Sequence, residues 1–286
     1  MPLALALSPH LDDAAFSCGG TLAQLARRGW QVEVATLFTA SVPDPAGFAL
    51  ACQLDKGLGP EVDYMALRRA EDAAACARLG AAARHVPLRE APHRGYGSAP
   101  ALFGDLAPGD NVRPALADAL RALLAETRPD LVLAPQAVGG HVDHVQLVLA
   151  LRALVPERPV LWWRDFPYTV RHADPKEPFR ADFAGLPEAA VRLAAEDEAA
   201  KREACAAYAS QLGFQFGGLA GLDSRLAVEE GRERFRMQGA MPGSLDRMPD
   251  TVSGRSLSET VSRARAAPER GRFPHREAII RKPYER

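Results

Sequence analysis

Apolar runs recur along the chain between turn-forming residues. Leu3–Leu7 is an uninterrupted apolar run, the pattern of a short strand buried on both faces. Residues Thr21–Arg28 carry apolar side chains at helical spacing and stop at Gly29, a natural C-cap. From Trp30 to Phe38, alternation gives way to a buried run, so a second strand is predicted. Strand, helix, strand is a βαβ unit, whose crossover is right-handed and whose strands are parallel neighbours. The same reading predicts a helix over Asp63–Leu79 closed by Gly80, a strand at His85–Leu88, and a helix over Val112–Thr127 with Asn111 as N-cap. Beyond these it predicts a strand at Leu131–Pro135, a helix at Val142–Leu154, a strand at Pro159–Trp163 and a long Ala-rich helix from Pro187 to Tyr208. The alternation defines an α/β fold with a mostly parallel sheet and helices on both faces. Residues 41–62, rich in Pro and Gly, directly follow a strand, where loops over active sites lie, and are expected to shape a substrate pocket. Pro92–Gly109 is turn-rich.

Two of these strands end in clusters of ligand-type side chains. Ser8-Pro9-His10-Leu11-Asp12-Asp13 follows the first apolar run, and Gly139-Gly140-His141-Val142-Asp143-His144 follows the run at Leu131–Pro135. In open α/β sheets, ligands bind outside the carboxyl ends of parallel strands, so both clusters are expected to meet at one crevice. Two histidines and a carboxylate form a common set for a catalytic divalent ion, and His10, Asp13 and His144 supply it. Asp12, left free beside that ion, is placed to act as general base toward water. His141 shares a helix face with His144 and is expected to meet the substrate, kept protonated by a carboxylate such as Asp143 so that it stabilises an oxyanion or protonates a leaving amine. Singly, each residue has a plain structural reading: His10 as a turn residue, Asp12 and Asp13 as helix caps, His144 as a surface histidine. Their joint placement at two matching strand ends is what argues for chemistry.

Composition narrows the partner. With 286 residues and 47% hydrophobic content, the chain can bury one large core; residues 1–240 are expected to form a single domain. The final stretch, 241–286, holds ten basic against six acidic residues with few large apolar side chains and reads as a loosely packed basic arm. A net charge of −1 argues against a general nucleic-acid binder, so the expected partner is a small molecule. Cys18, Cys52, Cys76 and Cys205 are scattered, with no C-x-x-C pair, and are expected to be reduced thiols. No span predicts a transmembrane helix and no secretory leader is evident, so a cytoplasmic protein is expected. A homo-oligomer is compatible with all of this. Gly19-Gly20 lacks the G-x-G-x-x-G and Walker patterns, and close backbone approach explains it better than phosphate binding. Trp162 and Trp163 could stack on a sugar, though packing is the commoner role within a strand; His85, His93, His172 and His275 have no partner at ligand spacing.

Pro9-His10-x-Asp12-Asp13 with Gly19-Gly20, followed by His141-x-Asp143-His144, resembles the LmbE/PIG-L family of metal-dependent N-deacetylases. The resemblance extends to Arg68-x-x-Glu71 and Leu79-Gly80 on the predicted central helix, to Asp165-x-Pro167-Tyr168, and to Lys201 through Tyr208-x-Ser210-Gln211, and so spans about residues 3–216. It implies a Rossmann-like three-layer sandwich and one ion, usually zinc, on His10, Asp13 and His144. It also implies Asp12 as base, His141 as oxyanion and acid group, and Arg68 as a substrate contact. Arg68 has a second reading as part of a solvated helix face shared with Arg69. Iron or manganese suits the same ligand set, since selection depends on geometry and supply. The chain departs from the family where it has Leu11 in place of Pro, Ala14 in place of Glu, and Arg164 in place of an acidic residue; none of these removes a ligand or the base. The expected activity is removal of an N-acetyl group from an amino sugar or glycoconjugate. Two alternatives stand beside it: hydrolysis of an amide on a non-sugar metabolite, and a non-catalytic small-molecule-binding module on the same fold.

Overall fold

Successive side chains of the first strand enter different cores. In the computed structural model, which describes residues 1–155, 158–171 and 173–242, β1 (Leu3–Ser8) sends Ala4 and Ala6 into one apolar cluster and Leu5 and Leu7 into another. A strand with both faces covered lies inside a three-layer structure. The expected basic arm from residue 243 onward, His172 and His275 lie outside the described residues.

The sheet also contains β2 (Gln31–Thr36), β3 (Ala82–His85), β4 (Leu131–Pro135), β5 (Val160–Trp163), β6 (Glu188–Arg192) and β7 (Arg232–Gln238), in the order β3-β2-β1-β4-β5-β7-β6. Strands β3 through β5 pair in parallel, and β7 runs antiparallel to both β5 and β6. The mostly parallel sheet is therefore as expected. From β1 the chain builds outward through β2 and β3, then returns to build β4 and β5 on the other side. The order reverses between β1 and β4, the crevice where such sheets bind ligands.

The helices are α1 (Asp13–Arg27), α2 (Gly47–Leu54), α3 (Tyr64–Arg78), α4 (Ala99–Leu102), α5 (Val112–Thr127), α6 (Val142–Leu154), α7 (Tyr168–Arg171), α8 (Arg180–Ala184), α9 (Ala195–Ala206), α10 (Ala209–Phe216) and α11 (Leu219–Val228). Phe16 and Leu22 of α1, Cys76 of α3 and Cys205 of α9 pack on one face of the sheet. Leu116 and Leu120 of α5, with Leu147 and Leu151 of α6, cover the other. Full burial of each such leucine contributes roughly 1.5–3 kcal/mol. Trp162 and Trp163 are fully buried in opposite cores, which removes the sugar-stacking reading. All four cysteines are free thiols. Among the described residues no helix is long and apolar enough to cross a membrane.

Two predicted elements differ from those observed, and the first helix carries a kink. The third strand is Ala82–His85 and not His85–Leu88, because Pro87, which has no N–H, closes only an isolated bridge with Phe38. The Ala-rich segment expected as one helix splits into β6 and α9. Ala189 and Val191 alternate into the core once β7 supplies a pairing edge, and tertiary pairing overrides the helical preference of alanine. The first helix begins at Asp13 and kinks at Cys18, where φ is −137°. Just past the kink, the Glu233 carboxylate of β7 accepts hydrogen bonds from the backbone N–H groups of Gly20 and Thr21, at 3.0 and 2.7 Å, and from Thr21 Oγ1. A Cβ on Gly20 would lie 2.3 Å from Leu193 Cδ1, so this glycine permits the close approach expected of it.

Candidate metal centre

Strand β1 stops at Ser8, whose hydroxyl ties the following turn together: Ser8 Oγ donates to the His10 carbonyl at 2.7 Å and accepts from Ala14 N at 3.1 Å. This turn delivers His10, Asp12 and Asp13 to the β1 end. Strand β4, the adjacent strand, ends at Pro135 and leads into α6, whose first turn carries Asp143 and His144. The two clusters meet. Asp13 Oδ2 lies 3.3 Å from His10 Nδ1 and 3.2 Å from His144 Nε2, although more than a hundred residues separate the histidines. His141 adds a third imidazole: one nitrogen from each of His10, His141 and His144 lies within 4.8 Å of the others.

This donor set suits a divalent cation. His144 is fully buried, and its Nε2 faces Asp13 Oδ2 at 3.2 Å without a well-directed hydrogen bond, the arrangement of two groups turned toward a shared ion. The remote nitrogens of the two histidines facing Asp13 are fixed by carboxylates: His10 Nε2 to Asp143 Oδ2 at 2.9 Å, and His144 Nδ1 to Asp165 Oδ1 at 2.7 Å. Carboxylate–histidine pairs of this kind orient imidazoles toward metal ions and raise their basicity. Burial works against charge on His144, but Asp13 and Asp165 outweigh it and push its pKa up to about 9. Burial likewise opposes charge on Asp13, yet His144 and His10 hold its carboxyl well below the usual range. The carboxylates thus call for positive charge at this point, which protons or a cation can supply.

Asp12 turns away from this cluster toward the cavity. Its carboxylate lies 3.3 Å from Arg68 Nη2, and burial, opposed by Arg68, pushes its pKa up to about 7. Arg68 is 5% exposed, so the solvated-face reading is overturned. It donates to Glu90 Oε1 at 2.8 Å and to the Leu11 carbonyl at 3.1 Å.

The pairing expected between Asp143 and the His141 ring does not form. The Asp143 carboxylate is turned to His10 and to Arg94 Nη2, which lies 2.7 Å from Oδ1, and it is the Asp143 backbone N–H that donates to His141 Nδ1 at 3.2 Å. The geometry of the first turn of α6 explains this: His141 is the N-cap, and its ring accepts an orphan N–H of the helix. An acceptor at Nδ1 places the proton of a neutral ring on Nε2. Burial, reinforced by the charge on His10, holds the His141 pKa well below its ordinary value. His141 is therefore a neutral N–H donor and not an imidazolium.

Several site residues were not singled out from sequence. Arg94 and Glu90 sit in or beside the turn-rich stretch. Asp110 braces Arg94 through Nε and Nη2, both at 3.0 Å. Asp165, quoted from sequence only as part of the family resemblance and given no role, follows β5, the same strand-end context that marked the two clusters. The cavity above the cluster has a volume of about 520 Å3. Cys52 and Lys56, from the 41–62 insertion, line it as expected.

A mostly parallel sheet thus carries, at its switch point, a two-histidine, one-carboxylate cluster of the kind that can hold a divalent ion. The chain belongs to the PIG-L family, whose profile, described as GlcNAc-PI de-N-acetylase, matches residues 5–155. It is 36% identical over 204 residues to a 2'-N-acetylparomamine deacetylase of Streptomyces fradiae, covering 66% of this chain and 70% of that protein. Among solved structures, a zinc-inhibited form of teicoplanin deacetylase superposes with a TM-score of 0.70 at 27% identity, covering 82% of this chain and 97% of that one. The deacetylase of A40926 pseudoaglycone gives 0.67 at 30% identity, over 84% of this chain and 98% of that one. The LmbE-like fold expected from sequence is thus shared with deacetylases.

Proposed function

We propose that this protein is a divalent-metal hydrolase, with zinc as its ion, that removes the N-acetyl group of an amino sugar or glycoconjugate. The observation that carries the reading is the convergence of His10 Nδ1 and His144 Nε2 on Asp13 Oδ2, with both outer nitrogens anchored by carboxylates. His10, Asp13 and His144 would hold the ion, which when bound supplies Lewis acidity toward the amide oxygen and acidifies water. Asp12, buried beside Arg68 at the cavity floor, takes a proton from the attacking water. His141 offers its N–H to the oxygen that gains charge, and the proton held by Asp12 passes to the departing amine, leaving acetate and a free amino sugar. The named activities of the paromamine and glycopeptide deacetylases support a glycoside substrate.

The test is acetate release from a panel of N-acetyl glycosides and of non-sugar N-acetyl amides, with metal content measured on the same preparation. Release from glycosides that is lost on chelation and restored by zinc is expected. Cleavage of only the non-sugar amides would redirect the substrate assignment, and no cleavage of either would refute the hydrolase.

The support behind His10 gives a second expectation. Arg94 fixes the Asp143 carboxylate, and Asp143 fixes His10 Nε2, so Arg94→Ala and Asp143→Asn should each weaken zinc affinity roughly 10- to 100-fold. Competition with a chromophoric chelator measures this. Unchanged affinity in both variants would show that these anchors do not tune the ion.

A further inference from the structure

The cavity wall differs in kind from one side to the other. Around Asp12 it is polar: the carboxylate meets Arg68 at 3.3 Å, and the Arg68 guanidinium and the Lys56 ammonium each stand 5.4 Å from the Tyr64 ring centre. Around His141 it is apolar and comes from the turn-rich stretch, where α4 and the residue after it put Ala99, Pro100, Leu102 and Phe103 along the lining. The Phe103 ring stands edge-on to His141, with centres 5.4 Å apart. Tyr168 meets Phe103 at 5.9 Å and His144 at 6.1 Å.

Two glycines and a lysine hold this apolar wall in place. Gly139 and Gly140 adopt φ of +97° and +76°, and a side chain on either would displace what lies above it. A Cβ on Gly139 would lie 2.6 Å from Tyr168 Cγ, and one on Gly140 2.6 Å from Lys176 Cδ. Tyr168 and the Lys176 stem therefore rest directly on the backbone that leads into His141. The exposed Lys176 ammonium continues to the end of α4 and donates to the carbonyls of Phe103 and Gly104, at 2.6 and 3.0 Å, groups that a helix end leaves open. His141, Tyr168 and Phe103 are thereby joined into one unit.

An amide carbon carries its oxygen, its nitrogen and the acyl carbon in one plane. With the oxygen at the His141 N–H and the nitrogen within reach of the proton on Asp12, the acyl carbon is turned away from Asp12, to the side that Phe103 and Tyr168 close. An apolar wall suits a methyl group, and a wall of rigid rings fixed from behind does not yield readily to a longer chain.

We propose that Phe103, backed by Tyr168, bounds the acyl pocket and restricts the substrate to a two-carbon acyl group, and that Lys176 positions it. This rests on the deacetylase reading of the same site and assigns the residue that selects the acyl chain. Phe103 touches the acyl group and takes no part in bond breaking. Lys176 acts only through Phe103.

Methyl glucosaminides N-acylated with acetyl, propionyl, butyryl and hexanoyl chains test the assignment. With the zinc-loaded protein, kcat/KM should fall roughly tenfold from acetyl to propionyl and further with each longer chain. Phe103→Ala should raise the butyryl-to-acetyl ratio by about 10- to 100-fold, and Phe103→Leu, which keeps an apolar contact for α4, by less. Lys176→Met keeps the stem over Gly140 but lacks the ammonium, and should shift the ratio the same way by a smaller factor. A merely structural role for either residue would lower all four glycosides in proportion. Calorimetric titration of the same series into Asp12→Asn protein, with and without Phe103→Ala, should give the same orders of affinity. Equal cleavage of all chain lengths by the wild type, or a ratio unchanged in both Phe103 variants, overturns the assignment. If the wild type cleaves none of the four, the deacetylase reading fails and the calorimetric orders decide the acyl wall alone. Absence of binding as well overturns both.

Discussion

Asp12→Asn is expected to lower turnover of an N-acetyl glycoside by roughly 10²- to 10⁴-fold while the protein keeps its full complement of zinc. The amide matches the carboxylate in size, and its oxygen can still accept from Arg68 Nη2, now at 3.3 Å, so the packing of this buried corner changes little. What is lost is the ability to take a proton from water. Zinc should be kept because Asp12 would not face the proposed ion: its carboxylate points to Arg68, whereas Asp13 Oδ2 lies between His10 and His144. Asp13→Asn should behave in the opposite way, losing zinc together with activity. Turnover and metal content measured on both variants separate the two roles. A near-normal kcat in Asp12→Asn would remove Asp12 as the base.

The meeting of the two clusters was legible in the sequence, and the reason is topological. His10, Asp12 and Asp13 occupy one turn, and His141, Asp143 and His144 another, so each cluster is a local pattern. That they meet follows from strand adjacency, which the βαβ grammar supplies. Residues recruited by long-range packing were not legible. Arg94 reaches Asp143 from a turn-rich loop, and no local period marks a loop residue whose partner lies 49 positions away. The protonation assigned to His141 failed for a related reason. Sequence places Asp143 two residues on but does not say that its carboxylate will be claimed by His10 and Arg94. The antiparallel strand β7 and the edge strand β6 beyond it were missed because their signal is weak. In β7 only Glu233 and Phe235 are buried, alternating with charged residues, and a buried glutamate looks polar in any hydropathy pattern.

That glutamate carries the largest expected effect on stability. Glu233→Ala should destabilise the fold by about 3–5 kcal/mol, the range found when one partner of a buried ion pair is removed. For a chain of this size, that corresponds to a fall in Tm on the order of 10 °C. The Glu233 carboxylate is fully buried and pairs with Lys201 Nζ at 2.8 Å while accepting from two backbone N–H groups and a hydroxyl of α1. Its removal leaves those N–H groups unsatisfied at the kink, and it leaves the buried Lys201 ammonium with only the partly exposed Glu229, 3.1 Å away. Glu233→Gln should cost less, since its amide oxygen can still accept from Gly20 or Thr21 although the charge is gone. Adding Lys201→Met to Glu233→Gln should recover part of that loss, because the penalty comes from stranding one charge and not from losing an attraction. Thermal melts of the three variants decide it. If Glu233→Ala melts with the wild type, the ion pair does not brace the kinked helix that carries Asp13, and the support for that ligand must come from the Ser8 turn alone.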